Sequence, residues 1–156
     1  MKLKILLIYI LIILWSTYNK LYLNKKPIDV VIKDFSIYTI TGMFLLSSFD
    51  KLLVPFFTGN STDTIRLIKK YPFVSKGILS FIVIVGGVIE LYGSYGIIKG
   101  YLSNNKNLLD MGAYVLVVFT FLATILMYAN TIVGFKYLPI LSNMSTMGGL
   151  LSLTQR

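Results

Sequence analysis

The sequence predicts an all-α protein: a polytopic membrane helical bundle of four transmembrane helices plus an N-terminal hydrophobic helix, which is a signal anchor or a fifth span. Three observations predict it. Hydrophobic residues make up 56% of the 156 and charged residues only 13%, whereas a soluble domain has about 45–50% and roughly 25%. The few charges cluster between long uncharged runs, near the roughly 17–25 residues that a helix needs to cross hydrocarbon. Finally, a run such as "YVLVVFTFLATILMY" (114–128) is apolar all round, whereas strands of a transmembrane barrel alternate apolar and polar over about ten residues. Backbone polar groups in lipid must be satisfied within each segment, so helices remain.

The first hydrophobic segment, "ILLIYILIILW" (5–15), stands behind Lys2 and Lys4, in the order of a signal peptide's basic and apolar regions. No small-residue cleavage motif follows. Continued as a helix to Tyr22, it sets Trp15, Tyr18 and Tyr22 where an interfacial aromatic belt belongs. Residues 24–34, "NKKPIDVVIKD", read as a charged connector broken by Pro27, which separates an N-terminal unit, 1–34, from a bundle unit, 35–156.

The second hydrophobic segment is "FSIYTITGMFLLSSFDKLLVPFF" (35–57), with Asp50 and Lys51 in its last third. The polar stretch 58–76, "TGNSTDTIRLIKKYPFVSK", predicts a short amphipathic helix capped by Ser61 or Thr62 and lying in the headgroup plane. The next span, 77–98, is uncharged except for Glu90; after a loop comes an uncharged span, 111–131, whose neutral stretch runs to Phe135. Lys136 and Pro139 punctuate the chain before a short last span, 139–153.

The net charge of +9 comes from 15 Lys and Arg against 6 Asp and Glu. These cations flank apolar spans, a placement suited to a bilayer with anionic headgroups, and no nucleic-acid partner is expected. Cysteine and histidine are both absent, which excludes disulfides, thiol chemistry and the usual zinc and haem ligation within this chain. No catalytic residue, metal site or cofactor is expected.

With four spans, residues 1–34, the 99–110 loop and Arg156 carry nine basic residues, and 58–76 with the 132–138 turn carries five. That distribution favours both ends in the cytoplasm. With the N-terminal segment also spanning, the tally is seven against seven and the rule is silent. A glycosylation sequon at Asn60 is usable only if 58–76 faces a lumen, and a second at Asn143 falls at membrane depth.

Glu90 is the chemically informative residue. An ionised acid near mid-span costs on the order of 3 kcal/mol, so Glu90 must be protonated or partnered. Gly86, Glu90, Gly93 and Ile97 share one helical stripe, and the two glycines let a neighbouring helix approach. The stripe is therefore expected to face protein, with Gly86 and Gly93 as packing positions. Lys51 is the expected partner, because spans 35–57 and 77–98 are antiparallel neighbours. The axial offset is roughly 10 Å, which a long lysine stem closes in part, with Tyr92, Tyr95, Thr120 or Tyr128 hydroxyls completing the network.

"GMFLLSSFDKL" (42–52) resembles the F-x-x-x-G-x-x-K-L signature in the first helix of the DoxX-like family of small membrane proteins. "GGVIELYGSYGIIKG" (86–100) is similar to that family's E-x-x-G-G-x-x-L-x-x-G second helix, and "FTFLATILMY" and "STMGGLLSL" to its third and fourth. Ser48 stands where the family's first-helix glycine is expected, Ser94 replaces the second glycine of the pair, and no His follows the third helix. The resemblance covers about 35–155. It implies a four-helix membrane bundle with Lys51 and Glu90 as the matched positions. Relatives include subunits of quinone-linked oxidoreductases and a receptor for secretory cargo. The expected function is a non-catalytic membrane subunit or adaptor with a protein partner or a second copy of itself. The alternatives are a membrane component of a quinone-linked oxidoreductase or a small transporter using Glu90 and Lys51.

Overall fold

The computed structural model describes residues 2–128 and 137–155, and every described element is helical. The end of the 111–131 span, the stretch to Phe135, most of the 132–138 turn with Lys136, and Arg156 lie outside the described residues. The helices are α1 (Lys2–Tyr18), α2 (Ile28–Leu52), α3 (Val54–Thr58), α4 (Thr62–Lys70), α5 (Lys76–Leu102), α6 (Lys106–Tyr128) and α7 (Tyr137–Thr154).

Among the described residues, three helical stretches are long and apolar enough to cross a membrane: Ile28–Thr58, Lys76–Leu102 and Lys106–Tyr128. The sequence led to an expectation of four. The expected fourth, α7, has 18 residues and interrupts its apolar run with Ser142, Asn143, Ser145 and Thr146. At 1.5 Å per residue it is about 27 Å long, slightly short of a hydrocarbon core of about 30 Å.

The bundle forms from α2, α5, α6 and α7. Its core draws one or two residues from each: Ile37 and Phe44, Ile97, Ala113 and Leu116, and Leu150. On α5, the buried positions Leu79, Val83, Gly86, Glu90, Gly93, Ile97 and Gly100 recur every three or four residues, a single stripe on a 3.6-residue helix. The outward faces carry Phe81, Val118, Phe121, Leu122 and Leu141, each more than half exposed. Such a surface is costly in water and ordinary in lipid.

Glycines set the α5–α6 spacing. A Cβ built on Gly112 would lie 2.7 Å from both the Gly93 carbonyl oxygen and the Ile97 nitrogen, and one on Gly96 would lie 3.2 Å from the Gly112 Cα. The two backbones touch there, with no side chain between.

Two boundaries differ from expectation. The connector 24–34 ends early: α2 begins at Ile28, directly after Pro27 (φ −55°), with Asp29 in its first turn. Proline before a first helical turn and an acid within it are both favourable. Helix α2 then runs through positions 34 and 35 without a break. At its other end Leu53 interrupts the helix, and the short α3 carries Pro55 in its first turn and is closed by Gly59 at φ 79°.

Helix α1 continues through a π-helical turn, Asn19–Leu23, and runs antiparallel to α2. Near one end the Tyr9 hydroxyl donates to the Tyr38 carbonyl oxygen, and the Tyr9 ring fills the space that a side chain at Gly42 would need. Near the other end Lys20 forms an ion pair with Asp34. Trp15, Tyr18 and Tyr22 stack in sequence along the outside.

Candidate functional site

The expected partners, Lys51 and Glu90, lie together. Lys51 comes from the last turn of α2 and Glu90 from the middle of α5, and the Lys51 Nζ donates to Glu90 Oε1 at 2.5 Å. Their side chains are 9% and 4% exposed. Gly87 makes the approach possible, because a Cβ there would lie 2.9 Å from the Lys51 Cβ. The two helices thus meet at the lysine itself, and its stem spans less axial distance than the spans suggested.

Different residues complete the network. Ser47, one turn before Lys51, accepts from its Nζ at 2.9 Å and donates to Glu90 Oε1 at 3.1 Å. Asp63, from α4, places Oδ2 3.6 Å from the Lys51 Nζ, and Arg66 closes over the other Asp63 oxygen at 3.5 Å. The Phe119 ring lies 5.2 Å from the ammonium, a cation–π distance.

Tyr92 and Tyr95 stand about half exposed on the outer face of α5. Two and five residues from Glu90, they are roughly 200° and 140° around the helix. Thr120 is buried, but its hydroxyl bonds to nothing. Tyr128 stands two turns beyond it, in the last described turn of α6.

Asp63 reaches Lys51 because α4 folds back onto the bundle. Ser61 is the N-cap and accepts from the Thr64 N–H at 3.1 Å. Leu67 packs with Leu79 and Val83. The Lys70 ammonium and the Tyr71 hydroxyl both donate to the Leu126 carbonyl oxygen, at 2.8 and 2.9 Å. The segment expected to lie flat among headgroups therefore ties α2, α5 and α6 together across one end. Its outer side still carries Ile65, Arg66 and Lys69, with Phe73 just beyond. The three polar residues of its inward side are the signal that sequence reasoning missed: Ser61, Asp63 and Thr64 share one face with Leu67 at helical spacing.

The expected packing glycines also lie inside. A Cβ on Gly86 would meet the Phe119 ring at 3.1 Å, and one on Gly93 the Leu116 Cγ at 2.6 Å. Asn60 is exposed in the loop before α4, where its carbonyl accepts from Thr58 Oγ1. Asn143, the second sequon, donates to Thr124 Oγ1 at 2.8 Å.

A second buried acid occupies the opposite end of the bundle. Asp34 accepts from Lys20 and from the Tyr101 hydroxyl, while Lys33 lies over the Tyr101 ring. It ties α1, α2 and α5. Among the described residues, no group of acidic side chains is arranged to hold a metal ion.

Fold and site together define a membrane-embedded helical bundle with a buried ion pair. Compared with protein-family models, curated proteins and solved structures, the chain matches none.

Proposed function

We propose that the chain is a DoxX-like, non-catalytic membrane subunit or adaptor that crosses the bilayer five times and holds a protein partner at the end of the bundle closed by α4. The observation that carries this reading is the use of the buried charges. Lys51, Glu90 and Asp63 join α2, α4 and α5, and Asp34 with Lys20 joins α1 to α2. Ionisable groups placed to lock helices together describe a rigid platform. The two segments that carry the family resemblance, 42–52 and 86–100, face each other across that platform at Lys51 and Glu90.

The platform offers its partner the outer side of α4, where Arg66 is 61% exposed and Phe73 is 73% exposed. Lys69→Glu combined with Phe73→Ser leaves the buried side of α4 intact. The wild-type chain, purified from its native membrane in a mild detergent, is expected to retain a partner in fixed stoichiometry. The variant is expected to remain folded and lose it. A wild-type chain that elutes alone, or a variant that keeps its partner, refutes the reading. A small transporter is the second reading, favoured by the charged series that runs inward from Arg66. It requires the purified chain by itself to carry flux in liposomes.

Five spans have a topological consequence. The 24–27 turn and the 103–105 turn fall on one side of the membrane, and Asn60 and the N-terminus fall on the other. Because the chain has no cysteine, single cysteines at Lys25, Asn60 and Asn104 report cleanly to an impermeant thiol reagent. The expected result is labelling of positions 25 and 104 from one side and of 60 from the opposite side, with an N-terminal tag on the side of 60. A tag on the side of 104 would remove α1 from the spanning set.

A further inference from the structure

All four long helices of the bundle contribute to one polar layer. Ser47 and Lys51 come from α2, Glu90 from α5, Thr120 and Thr124 from α6, and Asn143 from α7. Most of the layer is internally bonded: Lys51 and Ser47 hold Glu90 Oε1, Thr124 Oγ1 donates to the Thr120 carbonyl at 2.6 Å, and Asn143 donates to Thr124 Oγ1. Two buried oxygens in it have no partner, Glu90 Oε2 and Thr120 Oγ1.

These two atoms belong to facing turns. Gly86 meets Phe119 and Gly93 meets Leu116, so Glu90, between the glycines, faces the turn of α6 that carries Leu116 and Thr120. Leaving a buried acceptor bare costs about 1–3 kcal/mol, and more when it is charged. We propose that this gap is a proton-binding site, with Glu90 Oε2 as the acceptor, Thr120 Oγ1 as the oxygen that receives the resulting hydrogen bond, and Asp63 as its port to water.

Charge and ligand number select a proton. Lys51 faces two carboxylates, Glu90 and Asp63, which leaves one negative charge in the buried part of the cluster and disfavours an anion. A metal ion would find two free oxygens beside an ammonium group, whereas hard cations take about six oxygen ligands. A proton on Oε2 turns an orphan acceptor into a donor, and Thr120 on the facing helix offers an orphan hydroxyl to receive it. The other groups facing the site are Arg66 behind Asp63, Phe119 and Thr124 on α6, and Asn143 on α7.

The route in is graded. Side-chain exposure falls from 61% at Arg66 to 22% at Asp63, 9% at Lys51 and 4% at Glu90. Asp63 takes a proton from water. The Lys51 ammonium gives one of its protons to Glu90 Oε1, the oxygen it contacts, and recovers one from Asp63. Rotation of the carboxyl group about its Cγ–Cδ bond then carries the protonated oxygen into the Oε2 position. The net change is one solvent proton on Glu90, with Asp63 and Lys51 restored and the cluster neutral. This inference rests on the membrane bundle and is independent of the partner.

Infrared difference spectroscopy on the purified chain in lipid vesicles after a pH jump tests it. Glu90 is the single glutamate of the sequence, so ¹³C-glutamate labelling assigns its band even if Glu90→Gln fails to fold. A carboxylic-acid C=O band that shifts with the label and follows pH is expected. Thr120→Val should move its frequency, and Asp63→Asn should slow its appearance on the order of a hundredfold, as loss of a positioned acid–base group does. A band absent at every pH where the chain stays folded, following sodium in place of pH, or unmoved by Thr120→Val overturns the proposal. Undiminished kinetics in Asp63→Asn overturns the port.

Discussion

Lys51→Met is expected to destabilise the bundle by about 3–5 kcal/mol, the usual cost of removing one partner of a buried ion pair. Methionine replaces the lysine stem with similar volume beside Gly87, so packing survives. Glu90 is then left with Ser47 alone on Oε1, in a site where its side chain is 4% exposed. Glu90→Gln should cost less, about 1–3 kcal/mol, because its amide oxygen still accepts from Lys51 and Asp63 still faces the ammonium. The double variant removes both charges and should be more stable than Lys51→Met alone. Unfolding in mixed micelles, followed by circular dichroism across the double-mutant cycle, reads the coupling. Additivity within about 0.5 kcal/mol would show that the two groups do not act as a pair.

Gly112→Ala is expected to have a somewhat smaller destabilising effect for a wholly different reason. A methyl at position 112 would lie 2.7 Å from the Gly93 carbonyl oxygen and from the Ile97 nitrogen, both backbone atoms of α5. No rotamer change relieves that contact. The helices must separate, and the packing of Leu116 and Ile97 is lost along with the close backbone approach; overpacking of this kind costs typically 1–3 kcal/mol and sometimes more. Gly148→Ala is the matched control, because a methyl there meets nothing within 4 Å. It should leave the unfolding midpoint unchanged. Equal behaviour of the two variants would mean that the α5–α6 contact is looser than the glycine geometry requires. Gly93→Ala should fall between them, since its methyl meets the Leu116 side chain at 2.6 Å and reaches backbone only at 3.2 Å, at the Gly112 carbonyl oxygen.

Glu90 and Asp34 show where sequence reading succeeds and stops. Glu90 stands alone in a neutral span among glycines, so its own helix announces that it faces protein. The connection between its span and the preceding one leaves Lys51 as the nearest cation. Asp34 sits among Asp29, Lys33 and Pro27, a composition that reads as solvated linker. Its burial depends on Lys20 from α1 and Tyr101 from α5, which are distant in sequence. Asp63 was hidden in the same way: α4 has the strongly two-sided pattern of a headgroup-plane helix, and nothing local says that its polar inner edge covers a lysine.

The sequence by itself determined the helical class, an apolar surface suited to lipid, and the inward direction of the Gly86–Glu90–Gly93 stripe. Each follows from the composition and period of a single segment. Only the tertiary structure decided that α4 folds back over Lys51, that Gly112 is the contact point of α5 and α6, that α1 lies along α2, and that the buried Thr120 hydroxyl is left unused. The physical reason is that lipid tails and neighbouring helices are equally apolar. Hydropathy therefore marks which residues leave water but not which neighbour they meet, and that choice is made by close packing and polar pairing between segments.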